Sequence, residues 1–167
     1  MTFLNSISLQ YIVETALFAG AMRATLYPRL RRRDPRKVLA VLVGLNVLRF
    51  GGVAGALAAM AAAPRPAFLV QVAITDGLAA MLAVIAFVLL LRRSAAAPLA
   101  VAAMNVVGLA GILVSETWLQ GMQLAGSIPG GFHGPTIGAA FFTVVHLFVF
   151  ALLRGRAHAP LRSAGAA

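Results

Sequence analysis

Five side chains that carry or exchange charge lie inside otherwise apolar runs: Glu14, Arg49, Asp76, Glu116 and His146. An ionisable group deep in an apolar phase costs about 2.5–3.5 kcal/mol or more unless it is paired or reaches water. Arg49 and Asp76 are an opposite-charge pair. Their carboxylate–guanidinium contact would act as an internal staple fixing helix register, or Arg49 would hold an anionic or carbonyl group of a ligand with Asp76 orienting it. Glu14 and Glu116 allow three readings. They reach water at an interface, they form a close pair that exchanges a proton near neutral pH, or they join His133 around a divalent cation. The chain has no HxxxH, HExxH or ExxH spacing, so the sequence gives no metal motif and no metal is expected. His146 is either hydrogen-bonded packing or a ligand-facing group. Haem would need a second axial ligand at the same depth, and no other apolar run supplies a histidine, so a b-type cytochrome is not indicated.

The elements that must carry these residues follow from composition. Of 167 residues, 61% are hydrophobic and 11% charged, where a soluble domain has about 25% charged. Apolar runs of 20 or more residues are long enough to cross a hydrocarbon core about 30 Å thick. Proline breaks helix interiors but is tolerated in the first turn, and all eight prolines fall between the runs. The expected architecture is therefore all-α: one domain, residues 1–167, of five transmembrane helices at about 6–27, 38–62, 67–91, 98–120 and 135–153, with a basic tail at 154–167.

Orientation follows from lysine and arginine. Arg29, Arg31, Arg32, Arg33, Arg36 and Lys37 fill the first loop, Arg92 and Arg93 the third, and Arg154, Arg156 and Arg162 the tail, while the opposite side has Arg65. With five spans the three basic segments share one side, which is expected to be cytoplasmic, so the N-terminus is expected outside. The same placement makes the net charge of +10 a topology signal rather than a nucleic-acid footprint. A site for anionic lipid is the sharper alternative for the basic cluster. Met1 to Gln10 has no basic stretch of the signal-peptide kind. With no cysteine, the chain has neither disulfides nor thiol chemistry. Gly51 and Gly55 form a GxxxG pattern, and Gly108 and Gly111 flatten the fourth span, so helix backbones are expected to approach closely there. The segment from Leu119 to Pro135 holds Gly121, Gly126, Pro129, Gly130, Gly131, His133 and Gly134; it reads as a loop or a re-entrant lid.

At 1.5 Å per residue, Arg49 lies roughly 17 Å from the cytoplasmic edge and Asp76 roughly 13 Å from the outer edge, at nearly one level. His146 falls near the midplane, Asn105 somewhat nearer the cytoplasm, and Glu14 and Glu116 within about two turns of the outer surface. The simplest packing turns all six inward, into a polar core open to the outside. No phosphate-binding glycine loop, nucleophile elbow, selectivity-filter loop or regular arginine repeat is present, so nucleotide binding, serine hydrolysis, channel and voltage-sensor functions are not indicated.

Three stretches carry a resemblance: Arg49-Phe50-Gly51-Gly52; Asp76-Gly77-Leu78-Ala79-Ala80 followed by Arg92-Arg93; and Asn105-Val106-Val107-Gly108-Leu109 with a last helix bearing Pro135 and Val145-His146. Over about residues 40–155 the chain resembles a group of small uncharacterised bacterial multi-pass inner-membrane proteins. The resemblance implies a bacterial inner-membrane location and points to Arg49, Asp76, Asn105 and His146, but supplies no activity. Three functions stay open: a membrane protein that binds or moves a small ligand or protons, working as a homo-oligomer; an intramembrane enzyme acting on a lipid-like substrate, with Glu116 or Glu14 as acid or base, His146 as relay and Arg49 as electrostatic stabiliser; or a structural or accessory subunit. Membrane lipids are the expected partners, with no cofactor and no nucleic acid.

Overall fold

The computed structural model of the protein describes residues 6–30, 33–61, 66–124 and 134–157. Every regular element among them is helical: α1 Ser6–Ala21, a π-helical stretch Met22–Leu26, α2 Tyr27–Leu30, α3 Pro35–Val47, α4 Phe50–Met60, α5 Pro66–Leu91, α6 Ala97–Leu124 and α7 Gly134–Ala157. Proline stands in the first turn of α3, α5, α6 and α7, where its missing N–H leaves no bond unmade. Asp34 caps α3, accepting from the Arg36 amide at 2.8 Å.

Four stretches are long and apolar enough to cross a membrane: Pro35–Met60, Ala67–Leu91, Ala97–Met122 and Thr136–Arg154. The first of these is α3 and α4 in series. Between them the ladder tightens to i→i+3 bonds, Leu48 to Leu45 at 3.1 Å, Arg49 to Asn46 at 3.2 Å and Gly51 to Leu48 at 2.9 Å. Arg49 sits in that break, so the irregular turn falls where the charge is buried. The stretch before it, Ser6–Leu30, is helical throughout but contains no regular α-helix longer than the 16 residues of α1. Its ladder widens ahead of Pro28, with the Tyr27 amide reaching back to the Met22 carbonyl. Proline cannot donate and crowds the carbonyl four residues earlier, and the π turn is how the helix passes that point instead of stopping near residue 27.

The four long stretches form a bundle. α5 packs along α3, α4 and α6, α7 packs on α6 and α3, and α1 lies against α7 and α6. The α1–α7 pairing runs parallel: Gln10 meets Thr136, Phe18 meets Phe141 and Tyr27 meets Phe148. Near the end that carries Arg36, Lys37, Arg92 and Arg93 the interior is a cluster of apolar side chains, built from Leu39, Leu42, Val43, Ala83, Ala86, Val101, Met104, Val145 and Val149. Alanines on α5 at 79, 80, 83 and 86 are fully buried and let its neighbours approach. The outside is apolar as well, with Leu17, Ile74, Leu91 and Leu99 exposed on three different helices, while the fully buried side chains include polar ones. That inversion suits a lipid solvent.

Close packing rests on particular glycines. A Cβ on Gly111 would stand 2.9 Å from Thr75 Cβ, while Gly51 and Gly55 have open space around them. The GxxxG pair therefore faces out of the bundle, and its neighbour Gly52 faces in, against the Asp76 carboxylate. Gly111→Ala is expected to destabilise by about 1–3 kcal/mol through overpacking, whereas Gly51→Ala and Gly55→Ala should be neutral or slightly stabilising. Thermal unfolding of the purified protein in lipid checks this.

Candidate functional site

Each of the four long stretches contributes one polar side chain to a network at mid-height. Arg49, from the α3–α4 break, donates through Nε at 2.9 Å and Nη2 at 2.5 Å to Asp76 Oδ1 on α5. Its Nη1 donates to the Gly108 carbonyl on α6 at 3.1 Å and faces His146 Nε2 on α7 at 3.1 Å. The guanidinium lies over the Phe142 ring, 5.4 Å from its centroid. On the far side of His146, Nδ1 stands 2.7 Å from Asn105 Oδ1, and Asn105 Nδ2 donates to the His146 carbonyl at 3.0 Å.

The proton positions follow from donor chemistry. A guanidinium only donates, so the His146 Nε2 facing it accepts. Asn105 spends its amide N–H on a carbonyl, so its Oδ1 is the acceptor for His146 Nδ1–H. His146 is thus a neutral ring with its proton on Nδ1, held from both sides. Four of the five Arg49 donors are satisfied inside the protein. The side chain is 3% exposed, and the pair with Asp76 is the one ion pair among the described residues. Gly108 makes the arrangement possible: a Cβ there would collide with the His146 ring and stand 2.9 Å from Arg49 Nη1.

Above the network, away from the basic end, lies a cavity of about 390 Å³ walled by all four stretches. Arg49 and Asp76 form its floor, Gly52, Phe68, Ile112 and Phe142 its sides, and Ser115 and Glu116 its α6 wall. Both Arg49 nitrogens land on Asp76 Oδ1, and Asp76 remains 20% exposed. Glu116 is 4% exposed, yet its Oε2 has no hydrogen-bond partner. The cavity therefore meets one guanidinium and two carboxylates. Ser115 donates to Gln71 Oε1 at 3.3 Å across the α5–α6 seam; neither Ser115 nor Gln71 stands out in the sequence beside the ionisable residues, because both are neutral.

Glu14 stands outside this cavity, on α1. Its Oε1 accepts from Gln10 Nε2 at 2.6 Å, Gln10 also donates to Thr136 at 2.8 Å, and Glu14 Oε2 is buried without a partner. α1 packs against α6 as well as α7, so Glu14 and Glu116 stand on neighbouring helices. His133 lies outside the described residues, as does the centre of the Leu119–Pro135 connection, into which α6 continues as far as Leu124. Among the described residues no group of three His, Asp or Glu side chains could hold a metal ion.

The core thus divides in two. Arg49, Asp76, His146 and Asn105 are locked to one another, and Glu116 with Glu14 keeps unmet acceptor capacity. Arg49→Ala would leave the Asp76 carboxylate uncompensated and is expected to cost about 3–5 kcal/mol. Replacing both partners, Arg49→Leu with Asp76→Leu, should cost less than the single change. Thermal unfolding of the three variants in lipid measures the difference, and an unperturbed Arg49→Ala would mean that Asp76 already reaches water.

A family model described as Domain of unknown function (DUF8737) matches residues 6–154, from the first residue of α1 to the end of the last long apolar stretch. Neither a curated protein nor a solved structure matches the chain. With nearly its whole length matched, the protein belongs to the DUF8737 family.

Proposed function

We propose that the protein is a five-span bundle of the bacterial inner membrane that takes a small cationic solute, or a proton, from the outer side into the cavity beside Glu116. One observation carries this reading: a carboxylate 4% exposed, with an unpartnered Oε2, on the wall of a cavity of about 390 Å³. An unmet buried carboxylate is expensive. A bound cation or a proton removes the cost, and an anion would raise it, since Arg49 is already spent on Asp76, Gly108 and His146.

The fifth span rests on α1 and its continuation to Leu30, which run beside α7 in the same direction from Gln10–Thr136 to Tyr27–Phe148. Parallel pairing of the first and last spans is what an odd number of crossings requires. The orientation rests on Arg29, Arg33, Arg36, Lys37, Arg92, Arg93 and Arg154 gathering at one end, the cytoplasmic one. The cavity lies toward the other. Below it the apolar plug closes the bundle, so movement of solute across the membrane needs a second conformation, and the described state is a binding state.

Asn105, His146, Arg49 and Asp76 hold the floor of the cavity in this reading. Their mutual satisfaction favours the structural role for those four, and leaves acid–base or ligand chemistry to Glu116, with Glu14 as the second charge beside it.

The test is thermal stability of the purified protein in lipid, titrated with ammonium, methylammonium and tetramethylammonium chloride against sodium chloride at fixed ionic strength. A cation present at 100 times its dissociation constant should stabilise by about 2.7 kcal/mol, and Glu116→Gln should abolish the effect. Stabilisation by acetate instead, or equal stabilisation of Glu116→Gln, would overturn the assignment.

A further inference from the structure

At the basic end, α5 stops in a way that its sequence makes costly. The Ser94 amide donates to the Leu89 carbonyl at 3.0 Å and the Arg93 amide to the Leu90 carbonyl at 3.2 Å, a closing loop that puts residue 93 in the left-handed region. Glycine usually fills that position, because a Cβ is strained there. Here it is Arg93, at φ 54°, the one non-glycine residue with positive φ among the described residues. Backbone strain held at a charged residue points to a use for the side chain.

Arg93 borders a cavity of about 470 Å³ between the start of α3 and the end of α5. Arg36 and Lys37 complete its basic rim, and Ala40, Leu90 and Leu91 form its apolar floor. Asp34 also borders it, but its carboxylate is engaged in capping the Arg36 amide at 2.8 Å. None of the three cations has a carboxylate at ion-pair distance, since Arg49–Asp76 is the one such pair among the described residues. Three unpaired cations against one occupied carboxylate leave the cavity in need of an anion.

We infer that this cavity binds the phosphate group of an anionic membrane lipid. Phosphate suits a rim of arginine and lysine. The apolar floor selects a lipid over free phosphate: it continues onto Leu91, which is 63% exposed on the outside of the bundle, so a headgroup on the rim would leave its acyl chains along α5. The site lies at the opposite end of the bundle from the Glu116 cavity and does not depend on it.

The experiment is native mass spectrometry of the purified, delipidated full-length protein in mixed micelles of phosphatidylglycerol and phosphatidylcholine, repeated with inorganic phosphate as competitor. The wild type should retain phosphatidylglycerol in preference. The triple variant Arg36→Gln, Lys37→Gln, Arg93→Gln should lower that retention by about tenfold or more. Arg29→Gln, Arg33→Gln, Arg92→Gln removes equal charge from the same end outside the cavity and should change it less than about twofold. Arg93→Gly relieves the strain as it removes the charge, so it should unfold at a higher temperature and yet hold less lipid. Equal losses in the two triple variants would show diffuse attraction and overturn the site. Displacement of the lipid by millimolar inorganic phosphate would overturn the lipid as its occupant.

Discussion

A guanidinium at mid-membrane depth cannot shed its charge, so everything around it has to supply acceptors. Arg49 obtains them from Asp76 on α5, a backbone carbonyl on α6 and a ring nitrogen on α7. Each acceptor constrains its helix. α5 must set Asp76 at the level of Arg49. α6 must carry glycine at 108, because any side chain there would occupy the place of the guanidinium and the imidazole. α7 must present a neutral ring, which Asn105 fixes from α6 by binding both the ring and its backbone carbonyl. The break between α3 and α4 falls at Arg49 itself. One buried charge thus sets the register of four helices, in a solvent where apolar contact alone gives little preference for one packing over another.

The same constraint separates holding from binding. A residue whose donors are all met inside the protein has no call on a ligand, however functional it looks in a sequence. Arg49 comes close to that limit, and with it His146 and Asn105. Glu116 is the opposite case: buried and short of a partner. The cavity lies between the two, floored by the satisfied pair and walled by the unsatisfied acid. An apolar plug of Leu39, Leu42, Val101, Met104 and Val149 lies below the cavity.

Much of this was legible in the sequence, because lipid imposes simple rules. Prolines and runs of apolar residues located the long helices to within a few positions: Ala67–Leu91 is the stretch expected at 67–91, and α7 begins at Gly134 against an expected 135. The Arg49–Asp76 pair followed from charge and depth alone. What the sequence hid depends on helix rotation. Gly51 and Gly52 are neighbours with the same composition, but only Gly52 faces Asp76, and spacing does not tell which side of a break turns inward. The continuation of the first helix past Pro28 was hidden because the π turn that permits it has no composition signal. Glu14 and Glu116 were equivalent by depth. They differ because α1 sits outside the bundle while α6 walls the cavity.

The most direct test of a one-sided polar cavity uses the absence of cysteine from the chain. Ser115→Cys lies on the cavity wall and Val101→Cys in the buried plug. Each is exposed in membrane vesicles of known orientation to a thiol reagent that does not cross membranes. A one-sided polar cavity requires that Ser115→Cys be labelled from the outer face alone and that Val101→Cys be protected from both. Labelling of Ser115→Cys from the cytoplasmic face, or its protection from both faces, would contradict it.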